Sequence, residues 1–572
     1  MPLITGNRAI GKAYIGATEL SAIMHAGVNL LDGTVLPRKG RTFLMSKSSL
    51  ILDEGAGGPT WSRATKAWGF NELGYLEELA SGCAFFGGAR LVRNLLAGSS
   101  QDLSSASWSK TGSPTITYTS GVSTVTTPGV ATECKISQYP SFANSSPTNV
   151  GKVASAYWKI RGTNGQTIKL GVQEGAPAYE SNEFTHTFNG DWQLVYSQKT
   201  LVSVTGTQAG IYFRKSVSDA AITFDLAECQ LEDITGYDSS YVPEYVSVGV
   251  LSAPFHGAGI DGAKYFETDW QGAPIPAANL LKVRRESAAT NNLLRSRDLS
   301  NAAWSTKTNI TAAKTATGLD GIANTATTLT ATAADAIILQ PITLASAARC
   351  ASSYVKRRTG TGTISFTQDG GSTWTDITSQ INSSTWSRVE ITATLANPSV
   401  GFKLGTSGDA IDVDCAQNEA GSVATSPIVT TTAAVTRNAE SLTYQTASNW
   451  SDTAGTAYIE AQPLSWVAGG AIGSATNGLL LSAANSGATA SDGTNTANGP
   501  AGTPSGRKKL ALRWGGGAMT VASGGVVGTP GTYDGAMGLA SIGIAVNSST
   551  YCGPVAIYDY AMTDAELQAI TT

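Results

Sequence analysis

One segment of this 572-residue chain occurs twice in nearly the same form. Residues 292–305 read Asn-Leu-Leu-Arg-Ser-Arg-Asp-Leu-Ser-Asn-Ala-Ala-Trp-Ser, and residues 94–109 contain Asn-Leu-Leu followed by Asp-Leu-Ser-Ser-Ala-Ser-Trp-Ser. Asp298 follows Asp102 by 196 residues, and Trp304 follows Trp108 by the same 196 residues. Solenoid repeats are much shorter, roughly 20–50 residues. The offset therefore predicts a duplicated domain.

The similarity continues beyond this stretch. Asp191 and Trp192 match Thr385 and Trp386, and two acidic segments near the ends of the copies also match. These are Phe224-Asp225, followed by Ala-Glu-Cys-Gln-Leu-Glu, and Val413-Asp414, followed by Ala-Gln-Asn-Glu with one residue between. We align Asn94 with Asn292 and Asp225 with Asp414. The tryptophans Trp108, Trp304, Trp192 and Trp386 are predicted to be core residues in two copies spanning 94–245 and 291–440.

Composition and local periodicity favour β-structure in both copies. Charged residues make up only 14% of the chain and glycine accounts for 63 residues, a mixture that disfavours long helices and suits tightly turned strands. Ile168, Leu170 and Val172 alternate with Lys169 and Gln173, as in a half-buried strand. The fold class is therefore predicted to be all-β, with tandem β-sandwiches.

The rest of the chain is divided by the same patterns. Residues 1–44 form a short head, 45–93 a β arm and 246–290 a linker with a second β arm. Residues 441–572 form a final β domain, in which Leu510, Leu512 and Trp514 alternate with Ala511 and Arg513. A capping box from Thr563 to Glu566 predicts one short C-terminal helix.

Charge and hydropathy exclude several classes of partner. A net charge of −4 provides no positive field that would attract nucleic acid. The sequence contains no run of eighteen apolar residues, so it gives no indication of membrane insertion. The N-terminus lacks the apolar core of a secretory signal. Cys134 and Cys229 do not align with Cys350 and Cys415, so we expect all six cysteines to be reduced and the chain to fold in a cytosol.

The repeated Asn-Leu-Leu, Asp-Leu-Ser and Ala-x-Trp-Ser motifs, with the segment 416–426, resemble the carbohydrate-binding-module-like jelly rolls of bacteriophage tail proteins. The segment 262–269 resembles the stretch that precedes this domain in phage structural proteins. Residues 445–572, with Tyr-Asp-Gly at 533–535 and Tyr-Asp-Tyr at 558–560, are similar to concanavalin-like or laminin-G-like jelly rolls. The resemblance covers about residues 61–572.

This resemblance implies a virion protein, a tail fibre or baseplate-attached protein that adheres to the bacterial host by binding a surface glycan or receptor. It would assemble in the host cytoplasm and attach to other tail or baseplate proteins through residues 1–93. The head is too short to bury its own apolar residues, so a symmetric partner is expected, and the resemblance to phage fibres favours a homotrimer. A non-binding structural or decoration protein, a polysaccharide depolymerase and a cellular adhesin are the alternatives.

No catalytic constellation is visible, so we expect a protein without enzyme activity. His25, His186 and His256 lie in separate segments without metal-ligand spacing. Glycoside cleavage would need a carboxylate pair such as Glu228 with Glu232 or Asp412 with Asp414, although strands also carry such pairs for solvation.

Two kinds of binding residue remain as candidates. Tyr179 and Trp374 lie in equivalent loops and are the candidate sugar-binding aromatics; packing of a hairpin tip is the alternative. Related jelly rolls often hold a structural calcium through an acidic residue on the closing strand, which implies Asp225 and Asp414 as metal ligands. An outward-facing strand aspartate is the alternative there, and no other cofactor is expected.

Overall fold

A computed structural model gives the fold of the chain. It describes residues 36–142, 151–175, 180–202, 208–238, 240–242, 244–249 and 255–572, together with the backbone of four short strands before residue 30. The chain forms two compact units. The first unit comprises Leu52–Gly88, Ala277–Thr572 and the described residues before Ser48, and the second comprises Ser48–Ile51 and Ala89–Pro276.

Among the described residues, ten strands precede the first copy of the repeat. They are β1 (Ala13–Ile15), β2 (Thr18–Leu20), β3 (Met24–His25), β4 (Val28–Asn29), β5 (Arg41–Met45), β6 (Thr60–Ser62), β7 (Ala67–Phe70), β8 (Leu76–Leu79), β9 (Phe86–Gly87) and β10 (Arg90–Arg93). Three antiparallel pairs occur among them: β1 with β2, β3 with β4, and β7 with β8.

The first copy is a sandwich of two five-stranded antiparallel sheets. Its strands are β11 (Ser109–Thr111), β12 (Thr115–Thr119), β13 (Val122–Thr126), β14 (Cys134–Gln138), β15 (Val153–Gly162), β16 (Thr167–Glu174), β17 (Ser181–Thr187), β18 (Gln193–Thr200), β19 (Ala209–Lys215) and β20 (Thr223–Asp233). One sheet has the order β11-β14-β19-β16-β17, and the other has the order β12-β13-β20-β15-β18.

In the described part of the linker, three short strands lie between the copies, and ten more build the second sandwich. The linking strands are β21 (Ala263–Phe266), β22 (Lys282–Arg285) and β23 (Ala289–Asn291). The ten are β24 (Thr306–Thr308), β25 (Ile310–Ala316), β26 (Ala326–Ala331), β27 (Ala336–Pro341), β28 (Ala347–Thr359), β29 (Ile364–Thr367), β30 (Thr375–Asp376), β31 (Ser387–Leu395), β32 (Ser399–Leu404) and β33 (Ala410–Ala420).

The two sandwiches have the same strand order. The sheets of the second copy run β24-β27-β32-β29-β30 and β25-β26-β33-β28-β31, which match those of the first copy strand for strand. Trp108 and Trp304 each stand just before the first strand of their copy, and both are almost completely buried. Their indole nitrogens donate to the carbonyls of Ser99 and Arg295, which are also 196 residues apart. The prediction of a duplicated all-β domain is confirmed.

Buried amides show where our sequence alignment was wrong. The side-chain nitrogen of Asn94 donates to the carbonyls of Cys229 and Val246, and that of Asn291 donates to those of Ala416 and Ile428. Asn94 therefore corresponds to Asn291. Asn292, which follows it, has a different hydrogen-bonding pattern.

The equivalent of Asp225 is Asp412, and the predicted pairing of Asp225 with Asp414 is wrong. Thr124 lies opposite Asp225 and bonds to its carboxylate, and Thr328 does the same for Asp412. The motif match paired Asp225 with Asp414 because each follows a similar apolar residue. The pairing of the closing strand with its neighbour depends instead on the position of the aspartate along that strand.

The tryptophan predictions divide in two. Trp108 and Trp304 are core residues, as expected. Trp192 and Trp386 are not, because each lies half-buried just before an outer strand, with the Arg161 guanidinium 4.7 Å from the Trp192 ring and the Lys356 amine 5.1 Å from the Trp386 ring.

Thirteen strands follow β33, and all of them except the first belong to the C-terminal sandwich. They are β34 (Val435–Arg437), β35 (Ser441–Tyr444), β36 (Ala454–Pro463), β37 (Gly469–Gly473), β38 (Gly478–Leu481), β39 (Ala488–Ser491), β40 (Thr496–Asn498), β41 (Lys508–Gly515), β42 (Ala518–Ser523), β43 (Val526–Val527), β44 (Gly531–Thr532), β45 (Ile542–Val546) and β46 (Thr550–Tyr558), with β34 paired to β23 instead of joining the sandwich. A helix, α1 (Asp564–Thr571), follows them and is the sole α-helix among the described residues. Thr563 and Glu566 form the predicted capping box.

Strands from distant parts of the chain complete this sandwich. One of its sheets runs β43-β42-β41-β36-β46-β22-β9, with β5 also on β46 and β44 on β42, and the other runs β40-β39-β38-β37-β45-β35-β6. The segment 45–93 thus supplies strands to both sheets, and β5 spans the boundary drawn at residues 44 and 45. The domain limits given above stay predictions.

All six cysteines lie among the described residues, where they are buried and form no disulfide. Within the same part of the chain, no helix is long and apolar enough to cross a membrane.

Candidate functional site

The first sandwich carries a cluster of aromatic, charged and amide side chains on the outer side of the sheet β11-β14-β19-β16-β17. Alternation along β16 places Ile168, Leu170 and Val172 in the core and leaves Lys169 and Gln173 half-exposed, as the sequence predicted. The neighbouring strand β19 buries Ile211 and Phe213 in the same way. We call the outer side the tyrosine face; its members are Lys135, Tyr139, Lys169, Gln173, Glu183, Tyr212 and Arg214.

Glycines set the positions of the two tyrosine rings. Tyr212 lies opposite Gly171 in the ladder between β16 and β19, and a Cβ on Gly171 would come within 2.5 Å of the Tyr212 ring. A Cβ on Gly210 would come within 2.4 Å of Tyr139. Any side chain at these glycines would displace the rings, so the strand glycines allow both tyrosines to lie against the sheet.

The two rings differ in exposure. Tyr212 is only 2% exposed, and burial raises the pKa of its hydroxyl to about 12. Tyr139 is half-buried, and its hydroxyl donates to Gln173 Oε1 at 2.5 Å. Tyr139 is therefore the ring that a ligand can contact.

Glu183 is the anionic centre of the face. It accepts hydrogen bonds from Arg214 Nε at 2.7 Å and from the Tyr212 hydroxyl at 3.0 Å, and Lys169 lies 3.2 Å away. The hydrogen bonds from Arg214 are the main reason that the pKa of this carboxyl falls to about 2. Glu183 is thus charged at neutral pH and holds its neighbours in place.

The second sandwich presents a different set of residues on the equivalent sheet. Ile337 is paired with Lys403 across neighbouring strands, in the same way as Lys135 is paired with Arg214 in the first sandwich. Ile337 is therefore the equivalent of Lys135, and Gly401 is the equivalent of Tyr212. Trp374, a predicted ligand-binding residue, is half-buried beside Gly371, with the Lys403 amine 5.3 Å from its ring.

The other predicted ligand-binding residue, Tyr179, lies outside the described residues, so its proposed equivalence to Trp374 stays a prediction.

The predicted metal residues are both bound by arginine. Asp225 accepts from Arg161 and Thr124, and the buried carboxylate of Asp414 accepts from Arg297 Nε at 2.8 Å and Nη2 at 2.9 Å. Within the described residues, no group of three or more His, Cys, Asp or Glu side chains could hold a metal. The arginines occupy the oxygens that calcium would need, so these residues do not fit the ion as they stand.

The carboxylate pairs considered for glycoside cleavage have separate partners. Tyr157 and Lys159 bind Glu228, while Gln230 donates to Glu232, whose pKa burial raises. Arg358 binds Asp412, and Arg297 binds Asp414.

Sequence reasoning identified Lys169 and Gln173 as outward-facing but missed the tyrosine face as a site. The available signal was the alternation of Gly210, Tyr212 and Arg214 with apolar residues along one strand. The pairing of this strand with β14 and β16 is not visible in the sequence.

These elements define a class of protein with three β-sandwiches, two of them copies of one ten-stranded design. No family model and no curated protein matches the sequence. Solved structures that are similar include the CBM22-1-CBM22-2 tandem domain of Paenibacillus barcinonensis Xyn10C, with 12% identity, 57% of this chain and 97% of that chain covered, and a TM-score of 0.21.

Two further similar structures come from different kinds of protein. A mutant of the module CBM29-2 complexed with mannohexaose has 12% identity and a TM-score of 0.19 and covers 27% of this chain and 99% of that chain. The enzymatically active domain of tailspike protein 4 from bacteriophage CBA120 has 14% identity and a TM-score of 0.20, over 25% of this chain and 21% of that chain. TM-scores this low carry no argument about the function of the present chain.

Proposed function

We propose that this chain is a bacteriophage tail protein that adheres to the host surface by binding a glycan on the tyrosine face of its first sandwich. Protein sites for sugars combine an aromatic ring, which packs on the apolar side of the sugar, with amide and charged groups that bond its hydroxyls. Tyr139 supplies such a ring, and Gln173 is bonded beside it.

The arrangement of the polar groups is the observation that carries this proposal. Lys135, Gln173 and Tyr139 form one hydrogen-bonded cluster, and Arg214, Tyr212 and Glu183 form another on the same sheet. Groups held by one another in this way lose little conformational freedom when a ligand binds.

Trp374 would provide a second, weaker contact of the same kind in the second sandwich, with Lys403 beside it. The protein would act by binding alone, as part of the virion, and its oligomer would be a homotrimer joined to other tail or baseplate proteins through its N-terminal residues. Incubation with host surface polysaccharide should accordingly release no oligosaccharides.

The proposal is tested by adsorption of the purified chain to host cells and to their isolated surface polysaccharide. Tyr139→Ala should weaken binding by about tenfold, because the stacking surface is lost. Tyr118→Ala is the matched control, since Tyr118 is 37% exposed on the other sheet of the same sandwich. Equal binding by both variants would contradict the assignment of the face. Absence of binding by the unaltered chain would favour a structural or decoration protein.

A further inference from the structure

Lys135 is the cation of the tyrosine face that lacks an acidic partner. Its amine lies 4.5 Å from the ring centroid of Tyr212 and 5.6 Å from that of Tyr139. It donates to the Tyr139 hydroxyl and to Gln173 Oε1, both at 2.9 Å. These two acceptors are neutral, so they take up two of the three N–H donors of the ammonium group but leave its charge uncompensated.

The other charges of the face are paired. Lys169 and Arg214 share Glu183, and Arg214 also lies 3.6 Å from Glu133 at the edge of the sheet. Among the described residues, no carboxylate comes within the 4.0 Å of an ion pair to Lys135. Three cations thus face two carboxylates, and the positive charge in excess sits beside the accessible ring of Tyr139.

This excess is specific to the first sandwich. Ile337 occupies the position of Lys135 in the second copy. Lys403, the cation on that sheet of the second copy, forms an ion pair with Asp335 at 3.8 Å. The shared fold therefore does not require a lysine at this point of the strand.

We propose that the tyrosine face selects an anionic sugar, whose carboxylate or phosphate oxygen bonds to the amine of Lys135 while the sugar ring packs on Tyr139. This inference rests on the proposed glycan-binding function and specifies its ligand. A ligand oxyanion supplies the counter-charge that Gln173 and Tyr139 lack, and a charge-assisted hydrogen bond is stronger than a neutral one.

The test measures binding of the full chain to paired polymers by biolayer interferometry. One arm uses uronic-acid polysaccharides, each beside its carboxyl-reduced form, and the other uses a glycerol-phosphate polymer beside neutral glycerol-linked sugars. At least one anionic member should bind roughly tenfold more tightly than its neutral partner, and the difference should shrink as salt rises. The arm in which the anionic polymer binds more tightly than its neutral partner shows whether the ligand oxyanion is a carboxylate or a phosphate.

Variants at position 135 separate charge from shape. Lys135→Ile places the residue of the second sandwich here and should abolish the preference for the anionic polymer. The quantity compared is the ratio of the affinities for the anionic and the neutral polymer, because the substitution also removes the hydrogen bonds of Lys135 to Tyr139 and Gln173. Lys135→Arg should retain the preference, and unchanged melting temperatures confirm that both variants are folded.

Equal binding of anionic and neutral partners, or a preference that survives Lys135→Ile, would overturn the inference and leave the proposed function standing. Absence of binding to every polymer and to host polysaccharide would overturn both.

Discussion

At the scale of single residues, a few buried polar side chains hold both sandwiches in register. Gln138 exchanges two hydrogen bonds with the backbone of Ala97, and Gln340 does the same with Leu294. Asn94 and Asn291 likewise bond equivalent carbonyls. These contacts tie the segment before the first strand to the sheets, which explains why Asn and Trp were the landmarks that the sequence repeats.

Replacing such an amide should be costly. Asn94→Ala removes donors to two carbonyls and an acceptor for the amides of Leu96 and Leu231, all in a buried setting. We expect a loss of about 2–4 kcal/mol in the unfolding free energy of the first sandwich, because buried polar groups are left without partners. Urea unfolding checks this, with the exposed turn residue Asn164→Ala as the control. Equal stability of the two variants would contradict it.

The low pKa of Glu183 predicts that the stability of the fold depends on pH. Its pKa is about 2 when folded and about 4.3 in an unfolded chain. The carboxylate therefore stabilises the fold fully above about pH 4.3, and this contribution is lost as the pH falls toward 2. Wild type should exceed Glu183→Gln in stability at pH 7, with the difference shrinking between about pH 4.5 and 2.5. A difference that does not depend on pH would show that the ion pairs contribute nothing.

At the scale of elements, alternation was predictable and pairing was not. Local periodicity identified the core side of β16 because burial of one side of a strand leaves a period of two in its sequence. The match between Asp225 and Asp414 failed because register depends on partners such as Thr124 and Thr328, which lie roughly a hundred residues away in the chain. The tyrosine face was missed for the same reason, since four strands contribute to it.

Strand glycines offer a test at this scale. Gly171→Ala adds a Cβ that would lie 2.5 Å from the ring of Tyr212, so the ring must shift and disturb Glu183. We expect glycan affinity to fall several-fold while the sandwich stays folded. Gly129→Ala, where a Cβ would meet nothing within 4 Å, is the matched control and should bind normally. Normal binding by Gly171→Ala would argue against the face.

At the scale of the whole molecule, the C-terminal sandwich is built from sequence-distant strands. β5 pairs with β46, β6 with β35, and β9 with β22, so three short strands between residues 41 and 87 belong to its sheets. The sequence suggested only a short β arm over residues 45–93, because segments of two to five residues carry too little periodicity to reveal where they pair.

This architecture determines how the predicted trimer should be tested. Deleting residues 1–93 would remove three strands from the C-terminal sandwich and is expected to lower its melting temperature sharply. Deleting residues 1–35 leaves those strands in place, so the protein should stay folded but become monomeric if its oligomer contacts lie in the head. Light scattering and thermal melts of both truncations check this. A trimer that persists without residues 1–35 would place the contacts elsewhere.

Glycan binding by one sheet of the first sandwich can be tested by hydrogen–deuterium exchange of the full chain, with and without saturating host surface polysaccharide. We predict slower exchange in peptides covering β14, β16, β17 and β19, and unchanged exchange in β12 and β13 of the opposite sheet. Protection confined to the opposite sheet or to the C-terminal sandwich, with none in those four strands, would contradict the account.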